Sequence, residues 1–356
     1  MTTISSLQGT GAQPRFVRAP FDDRGPISQK LLALLQTPPV RTLDAQSVIT
    51  ATDTALGDCA NILTDDDLQL ALFVLYDLHY GHTVDADPLW EWDPSLLTVR
   101  RSIEIRFEQA LRHTVVPPSV HDHSRASVAA ALFEMAAEDT GPGLAKYVAR
   151  QATDDQLREL LVLRSIYTLM EADPHSWAIP RLTGAPKAAL VEIQADEYGA
   201  GQPGRMHSSI FAATMAGLGL DTQYGHYVDN VPAVVLASLN MMSMFGLNRS
   251  LRGAIVGHLA AFEMTSSIPN KFYGNGFRRL GYGAEVTAYF DEHVAADAVH
   301  EQIAARDMAG ALAEDNPDLL EDIVFGAAAC LAIDDAVARH IFDAWNAGRS
   351  ALRRPL

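Results

Sequence analysis

The chain has 356 residues and a formal net charge of −17. An acidic surplus of this size repels nucleic acid and anionic membrane surfaces, so we expect neither as a partner. The most apolar stretch, 231–247, is also shorter than the ~20 residues that a membrane-spanning helix needs. Two cysteines are too few for a disulfide framework, and the first 25 residues lack the apolar core of a secretory signal, so we expect a cytoplasmic protein.

Apolar residues recur at helical spacing along nearly the whole chain, and no segment alternates as a β-strand does. In chain order, the predicted helices span 26–36, 66–81, 95–113, 125–137, 143–150, 154–173, 185–198, 205–218, 231–245, 248–264, 284–312, 316–332 and 334–347. Glycine and proline predict loops at 199–204 and 266–279. The prediction is an all-α fold, divided into an N-terminal helical region (1–140) and a C-terminal helical bundle (141–356).

The segment 290–302 contains no glycine or proline and holds His293, Asp297 and His300. Offsets of four and three residues place these side chains on one helix face, one turn apart. Such a face is either solvated or lined with metal ligands, and the pattern by itself does not decide between the two.

Two glutamates stand in apolar surroundings earlier in the chain. Glu263 lies within the apolar run LAAFEM, where a charge is costly unless it is neutralised or paired. Glu171 follows the apolar helix positions Leu163, Ile166 and Met170, although an exposed helix terminus would explain it equally well. Glu263 is therefore the stronger candidate ligand.

Two more candidates flank the predicted loop at 199–204. Glu197 follows an apolar run, and Glu192 or Asp196 could take its place if that helix face is solvated. His207 begins the next apolar helix, where a histidine bonded to the backbone is the alternative. Each of these residues alone is a weak indication of a metal site.

Together the candidates supply four carboxylates and three imidazoles on separate helices: Glu171, Glu197, His207, Glu263, His293, Asp297 and His300. Imidazole with carboxylate suits iron or manganese, and the lack of a thiolate set argues against structural zinc. Two ferrous ions would balance the four negative charges, which removes much of the cost of burial. Helical bundles build dimetal sites from facing helices in this way.

The ordered set resembles the ligand pattern of the haem-oxygenase-like diiron oxidases and oxygenases, over about residues 150–345. Segments 196–207 and 257–267 are similar to those that supply the second, third and fourth ligands in that family. Within it, the chain most resembles the N-oxygenases, such as the central domain of the nitrosourea synthase of the streptozotocin pathway. The resemblance implies a haem-oxygenase-like helical bundle preceded by a helical region that forms homodimers. The bundle reaches the end of the sequence given, so we do not expect the chemistry of the synthase's C-terminal cupin domain.

The resemblance also implies a non-haem diiron monooxygenase, with all seven residues as iron ligands at the catalytic centre. Such an enzyme would activate O2 through a peroxo-diferric intermediate and oxygenate a small-molecule amine or an amino acid, in natural-product biosynthesis. The product would be a hydroxylamine, nitroso or nitro compound. Electrons would come from an external reductant or reductase, since the chain shows no dinucleotide-binding or flavin motif.

Two alternatives stay open. The same iron chemistry could desaturate or cleave a fatty acid or an amino acid. The fold could also belong to a metal-free helical binding protein. Spacing does not identify which carboxylate bridges the two irons.

Overall fold

The computed structural model describes residues 21–39, 45–138 and 141–356, without the side chains of Glu138 and of residues 295–298. These residues form helices joined by loops, with no β-strand among them, which confirms the all-α prediction. The helices are α1 (Pro26–Leu35), α2 (Gln46–Asp58), α3 (Asp66–Tyr80), α4 (Pro94–Thr114), α5 (Arg125–Glu138), α6 (Leu144–Arg150), α7 (Asp154–Thr168), α8 (Asp173–Ser176), α9 (Gly184–Glu197), α10 (His207–Gly217), α11 (Ala233–Leu247), α12 (Arg252–Arg279), α13 (Ala284–Gln302), α14 (Ala311–Asp315) and α15 (Leu320–Asn346). A π-helical segment, Ile303–Gly310, joins α13 to α14.

Helix α11 lies in the core, because nearly all of its side chains are apolar and buried. Its buried Asn240 bonds to α3, since its Nδ2 atom donates to the backbone and side-chain oxygens of Gln69 at 2.8 Å each. This bond ties α11 to α3, so the N-terminal region packs directly against the bundle. The proposed division at residue 140 stays a prediction. None of the described helices is long and apolar enough to cross a membrane.

The loop predicted at 266–279 is wrong, because α12 continues through it to Arg279. Pro269 removes one backbone hydrogen bond from the helix, but buried Tyr273 and Phe277 hold the following turns in the core. Gly276 serves close packing instead of a break: a Cβ atom there would lie 2.7 Å from the Val148 carbonyl oxygen of α6. Tertiary burial therefore overrides the local helix-breaking signals.

Other predicted helices also differ from those of the structure. Helix α2 was not predicted at all, and the two helices predicted over 316–347 form the single long α15. The helix predicted over 284–312 is interrupted by the π-helical segment, where buried alanines, a methionine and a glycine pack in the core. The predicted loop at 199–204 is confirmed, since it separates α9 from α10.

Candidate metal centre

The predicted ligands converge in the interior of the bundle. The six whose side chains are described are each at most 8% exposed: Glu171, Glu197, His207, Glu263, His293 and His300. The backbone of Asp297 belongs to α13, but its side chain lies outside the described residues. Glu171, just after α7, and His300, in α13, are more than a hundred positions apart in the chain but meet in one buried cluster.

The donor atoms form two overlapping groups. In each group the atoms lie within 4.8 Å of one another: Glu171, Glu197, His207 and His293 in the first, and Glu197, Glu263 and His300 in the second. Glu197 belongs to both groups. Its carboxylate is the one side chain that the two groups have in common among the described residues.

Several atoms in the cluster lack the hydrogen bonds that buried polar atoms normally make. Glu171 Oε2, His207 Nδ1 and His300 Nδ1 are enclosed and have no hydrogen-bond partner among the described residues. His207 Nδ1 lies only 2.8 Å from a Glu197 oxygen, yet without hydrogen-bond geometry. Donor atoms that converge without bonding to one another fit a shared cation.

An unusual turn after α7 directs Glu171 into the cluster. The predicted helix over 154–173 ends at Thr168, and Ala172 adopts the left-handed conformation with φ 77°. This conformation costs a non-glycine residue about 1–3 kcal/mol and persists only where the surroundings hold it. Here Gln194 Nε2 donates to the Ala172 carbonyl oxygen at 2.8 Å. The strain lies next to a predicted ligand, where such strain typically serves function.

A glycine turn brings Glu197 and His207 together. Glu197 is the last residue of α9, and His207 is the first of α10. Gly199 has φ 66°, and a Cβ atom there would lie 2.6 Å from the Met206 backbone nitrogen. Only glycine at this position therefore allows the backbone of Met206 to pack so close to residue 199. Both alternatives to Glu197, Glu192 and Asp196, are exposed residues of α9.

Hydrogen bonds around the cluster orient its histidines. His293 Nδ1 lies 2.8 Å from the Tyr289 carbonyl oxygen, which can only accept, so this nitrogen donates and Nε2 stays available to a metal. His300 Nε2 lies 3.1 Å from an Asp196 oxygen, which leaves Nδ1 facing Glu263. The Tyr289 hydroxyl donates to Glu171 Oε1 at 2.7 Å. Sequence spacing revealed neither the bond of Tyr289 nor that of Asp196, because both partners are distant along the chain.

Burial and neighbouring charges shift the pKa values of the carboxylates in the cluster. Burial, together with the charges of Glu171 and Glu263, raises the pKa of Glu197 well above its usual range. Burial also acts to raise the pKa of Glu171, but the nearby His293 imidazole and the hydrogen bond from Tyr289 outweigh this effect and lower it. A bound cation would favour the ionised form of this carboxylate and so lower its pKa again.

We expect iron binding to tighten as the pH rises. Burial lowers the pKa of His300, but Glu263 and Asp196 outweigh it and raise the pKa to about 9. At pH 7 the imidazole thus carries a proton that iron must displace. The apparent dissociation constant for Fe(II), measured by anaerobic titration, should fall about tenfold per unit between pH 7 and 8.5.

The free energy of unfolding of the metal-free protein should instead fall as the pH rises. Because its folded-state pKa exceeds the ordinary value of about 6.5, His300 stabilises the fold below pH 6.5, and this contribution is lost as the pH rises through about 9. Thermal unfolding of the metal-free and iron-loaded forms at pH 7 and 8.5 checks both effects. An iron affinity that does not change over this range would contradict the role of His300.

Comparison with protein families finds that residues 158–335 match the family described as iron-containing redox enzyme. The match covers half of the chain and contains all seven predicted ligands. The chain belongs to this haem-oxygenase-like family of iron-containing redox enzymes. A comparison with curated proteins finds none that matches the chain.

Membership in this family has two consequences. The protein is an oxidoreductase, and the haem-oxygenase-like bundle predicted from the sequence is confirmed. The buried carboxylates and imidazoles match the donor types that non-haem iron accepts. Iron is therefore the metal that this cluster suits.

Proposed function

We propose that this iron-containing redox enzyme is a non-haem diiron oxygenase that adds oxygen from O2 to the amine nitrogen of a small molecule, in natural-product biosynthesis. The observation that carries the proposal is the position of Glu197 in both groups of donor atoms. A carboxylate has two oxygens and can contact two cations, so a shared glutamate between two sets of ligands favours two ions over one.

The proposal assigns a set of ligands to each iron. Glu171, His207 and His293 would hold one iron, and Glu263 and His300 would hold the other, with Glu197 between them. Asp297 joins the set by its position on α13, since it lies on the same helix face as His293 and His300. Seven ligands for two ions leave coordination positions free for O2.

Charge supports two ions as well. Glu171, Glu197 and Glu263 lie in one buried space, where three ionised carboxylates without cations would repel one another. Two Fe(II) ions provide the positive charge that allows all three to stay ionised. Bound iron would supply electrons and open coordination positions for the reduction of O2, and an external reductant would restore those electrons.

The residues around the cluster would exclude bulk water from the reaction. Leu259 and Phe262 line the small space at the ligands, which has a free volume of about 10 Å³. A larger cavity of about 620 Å³ adjoins it, and Tyr167, Phe262 and Ser266 line both spaces. That volume is within the range of small-molecule binding sites. The side chains of Tyr167, Phe262 and Ser266 would separate a substrate in the large cavity from the iron cluster.

Anaerobic loading followed by exposure to O2 tests the proposal. We expect two Fe(II) ions per chain, by metal analysis, and O2 uptake that increases with a subset of a panel of amines and amino acids. Mass spectrometry should then show a product with oxygen on nitrogen. An alkene or aldehyde product would instead favour the desaturation or cleavage of a fatty or amino acid. A protein that loads no iron would be a metal-free binding protein.

A further inference from the structure

A group of arginines lies where α4 packs against the turn between α11 and α12. Asn248 of that turn donates from Nδ2 to the Oε1 atom of Glu104 in α4 at 3.1 Å. Arg100 and Arg101 contact the same carboxylate at 3.3 and 3.6 Å. Glu104 is buried, so the arginines around it leave positive charge at the surface, on a chain whose net charge is −17. The arginine patch consists of Arg100, Arg101, Arg181, Arg249 and Arg252.

Backbone carbonyl groups, and not carboxylates, hold part of the arginine patch together. Arg181 donates to the Leu247 carbonyl oxygen at 2.6 Å, and Arg252 donates to that of Arg249 at 3.5 Å. None of these three arginines has a carboxylate partner among the described residues. Burial and the nearby charge of Arg249 lower the pKa of Arg181, so the two guanidinium groups repel each other. An anionic partner on the patch would relieve this repulsion.

Exposed apolar side chains border the arginine patch. Trp92 is 66% exposed, and its ring centroid lies 5.0 Å from that of His79, whose Nε2 atom contacts Arg100. Ile105, one turn after Arg101 on α4, is 43% exposed. Tryptophan and arginine are the side chains that contribute most at protein–protein interfaces. A nucleic acid would extend from the patch onto the acidic surroundings, whereas a small acidic protein needs to cover only the patch.

The backbone beneath the arginine patch leads to the candidate metal centre. Arg181 also donates to the Gly246 carbonyl oxygen, and a Cβ atom at Gly246 would lie 2.4 Å from the Pro174 carbonyl oxygen. The next residue, His175, lines the small space at the ligands. The first residue of α12 belongs to the patch, and Glu263 follows three helical turns later, a rise of ~16 Å. Closely packed protein of this thickness would separate a docked electron carrier from the ligands.

We propose that the arginine patch is the docking site of an acidic iron–sulfur protein of the ferredoxin class. This inference rests on the proposed oxygenase function and names its electron donor. When one atom of O2 is added to an amine, the other becomes water, which takes two electrons from a reductant and two protons from solvent. Two reduced carriers would dock in turn, and each would give up one electron and leave oxidised. Carboxylates on the carrier would pair with the guanidinium groups of the patch.

Calorimetric titration of the metal-free protein with an oxidised [2Fe–2S] ferredoxin tests docking without any turnover. Binding should weaken at least tenfold between about 0.02 and 0.3 M salt, because salt screens exposed charges. Arg249→Glu should weaken binding at low salt at least tenfold. Lys271→Glu is the matched control, since it reverses the same charge at an exposed position near the other end of α12, and it should leave binding unchanged. Trp92→Ser should weaken binding by a similar factor at both salt concentrations.

Equal losses of affinity in Arg249→Glu and Lys271→Glu would reveal general charge repulsion and overturn the docking site. Tighter binding of a flavodoxin, or equal binding of a basic c-type cytochrome or of a DNA duplex, would overturn the choice of partner. Self-association of the protein that Arg249→Glu abolishes, with no binding of ferredoxin, would assign the patch to a second copy of the chain instead.

Iron content, measured on the same samples, is independent of this result. Arg249→Glu should load as much Fe(II) as the natural protein, because the patch contains no proposed ligand. Two ions per chain without ferredoxin binding would refute only the docking site. Ferredoxin binding by a protein that loads no iron would refute only the diiron function.

Discussion

Replacing Glu197 with alanine should leave the protein folded and lower its iron content from two ions per chain to fewer than one. The substitution removes the carboxylate that belongs to both groups of donor atoms, so both proposed ion sites lose a ligand. O2 uptake should fall to the level of the metal-free protein. Metal analysis after anaerobic loading and desalting measures the first effect, and an oxygen electrode measures the second.

The same variant should have a distinctive stability. In the metal-free protein, burial and the charges of Glu171 and Glu263 disfavour the ionised Glu197 carboxylate and raise its pKa, so its removal should keep or raise the melting temperature. Added Fe(II) should stabilise the natural protein, by about 2.7 kcal/mol at a hundredfold excess over the dissociation constant, and should not stabilise the variant. A merely structural glutamate would give the opposite result, a less stable metal-free protein.

Glu192→Ala is the matched control, because Glu192 lies on the same helix but is exposed. It should retain both ions, the O2 uptake and the stabilisation by Fe(II). If Glu197→Ala still binds two ions, the assignment of the shared carboxylate is wrong.

Replacing Gly257 with alanine should destabilise the fold by about 3 kcal/mol or more, since overpacking of this severity forces helices apart. A Cβ atom at Gly257 would lie 1.8 Å from the Ile323 carbonyl oxygen, and one at Gly326 would lie 2.0 Å from the Ala254 carbonyl oxygen. Helices α12 and α15 thus pack backbone against backbone, and neither can yield without moving the other.

Chemical denaturation of the metal-free protein measures the loss for Gly257→Ala. Gly57→Ala is the matched control: a Cβ atom there meets nothing within 4 Å, and the site is in α2. This control should be neutral or stabilise by up to about 1 kcal/mol, because glycine is a poor helix former. The Gly257 variant should also bind iron more weakly, since Glu263 lies six residues along the same helix. Equal stability of the two variants would contradict the close approach of α12 to α15.

The features that the sequence predicted well are those that local spacing encodes. The 3.6-residue periodicity of apolar residues predicted the all-α fold, and the spacing of His293, Asp297 and His300 predicted a face of α13. Glu263 was conspicuous because a charge in an apolar run needs a partner. Where local signals conflicted with burial, the prediction failed: Pro269 and the glycines that follow it predicted a loop, but core packing keeps this segment helical.

By itself, the sequence determined which residue types are present and which of them share a helix face, since both follow from order and periodicity along one element. Only the tertiary structure decided that Glu197 belongs to two groups of donor atoms and that Tyr289 bonds to Glu171. It also decided that Arg101 and Arg249 belong to one surface patch. These relations join residues that are tens to more than a hundred positions apart, and the packing of one helix against another, which sets such distances, has no signature in local spacing.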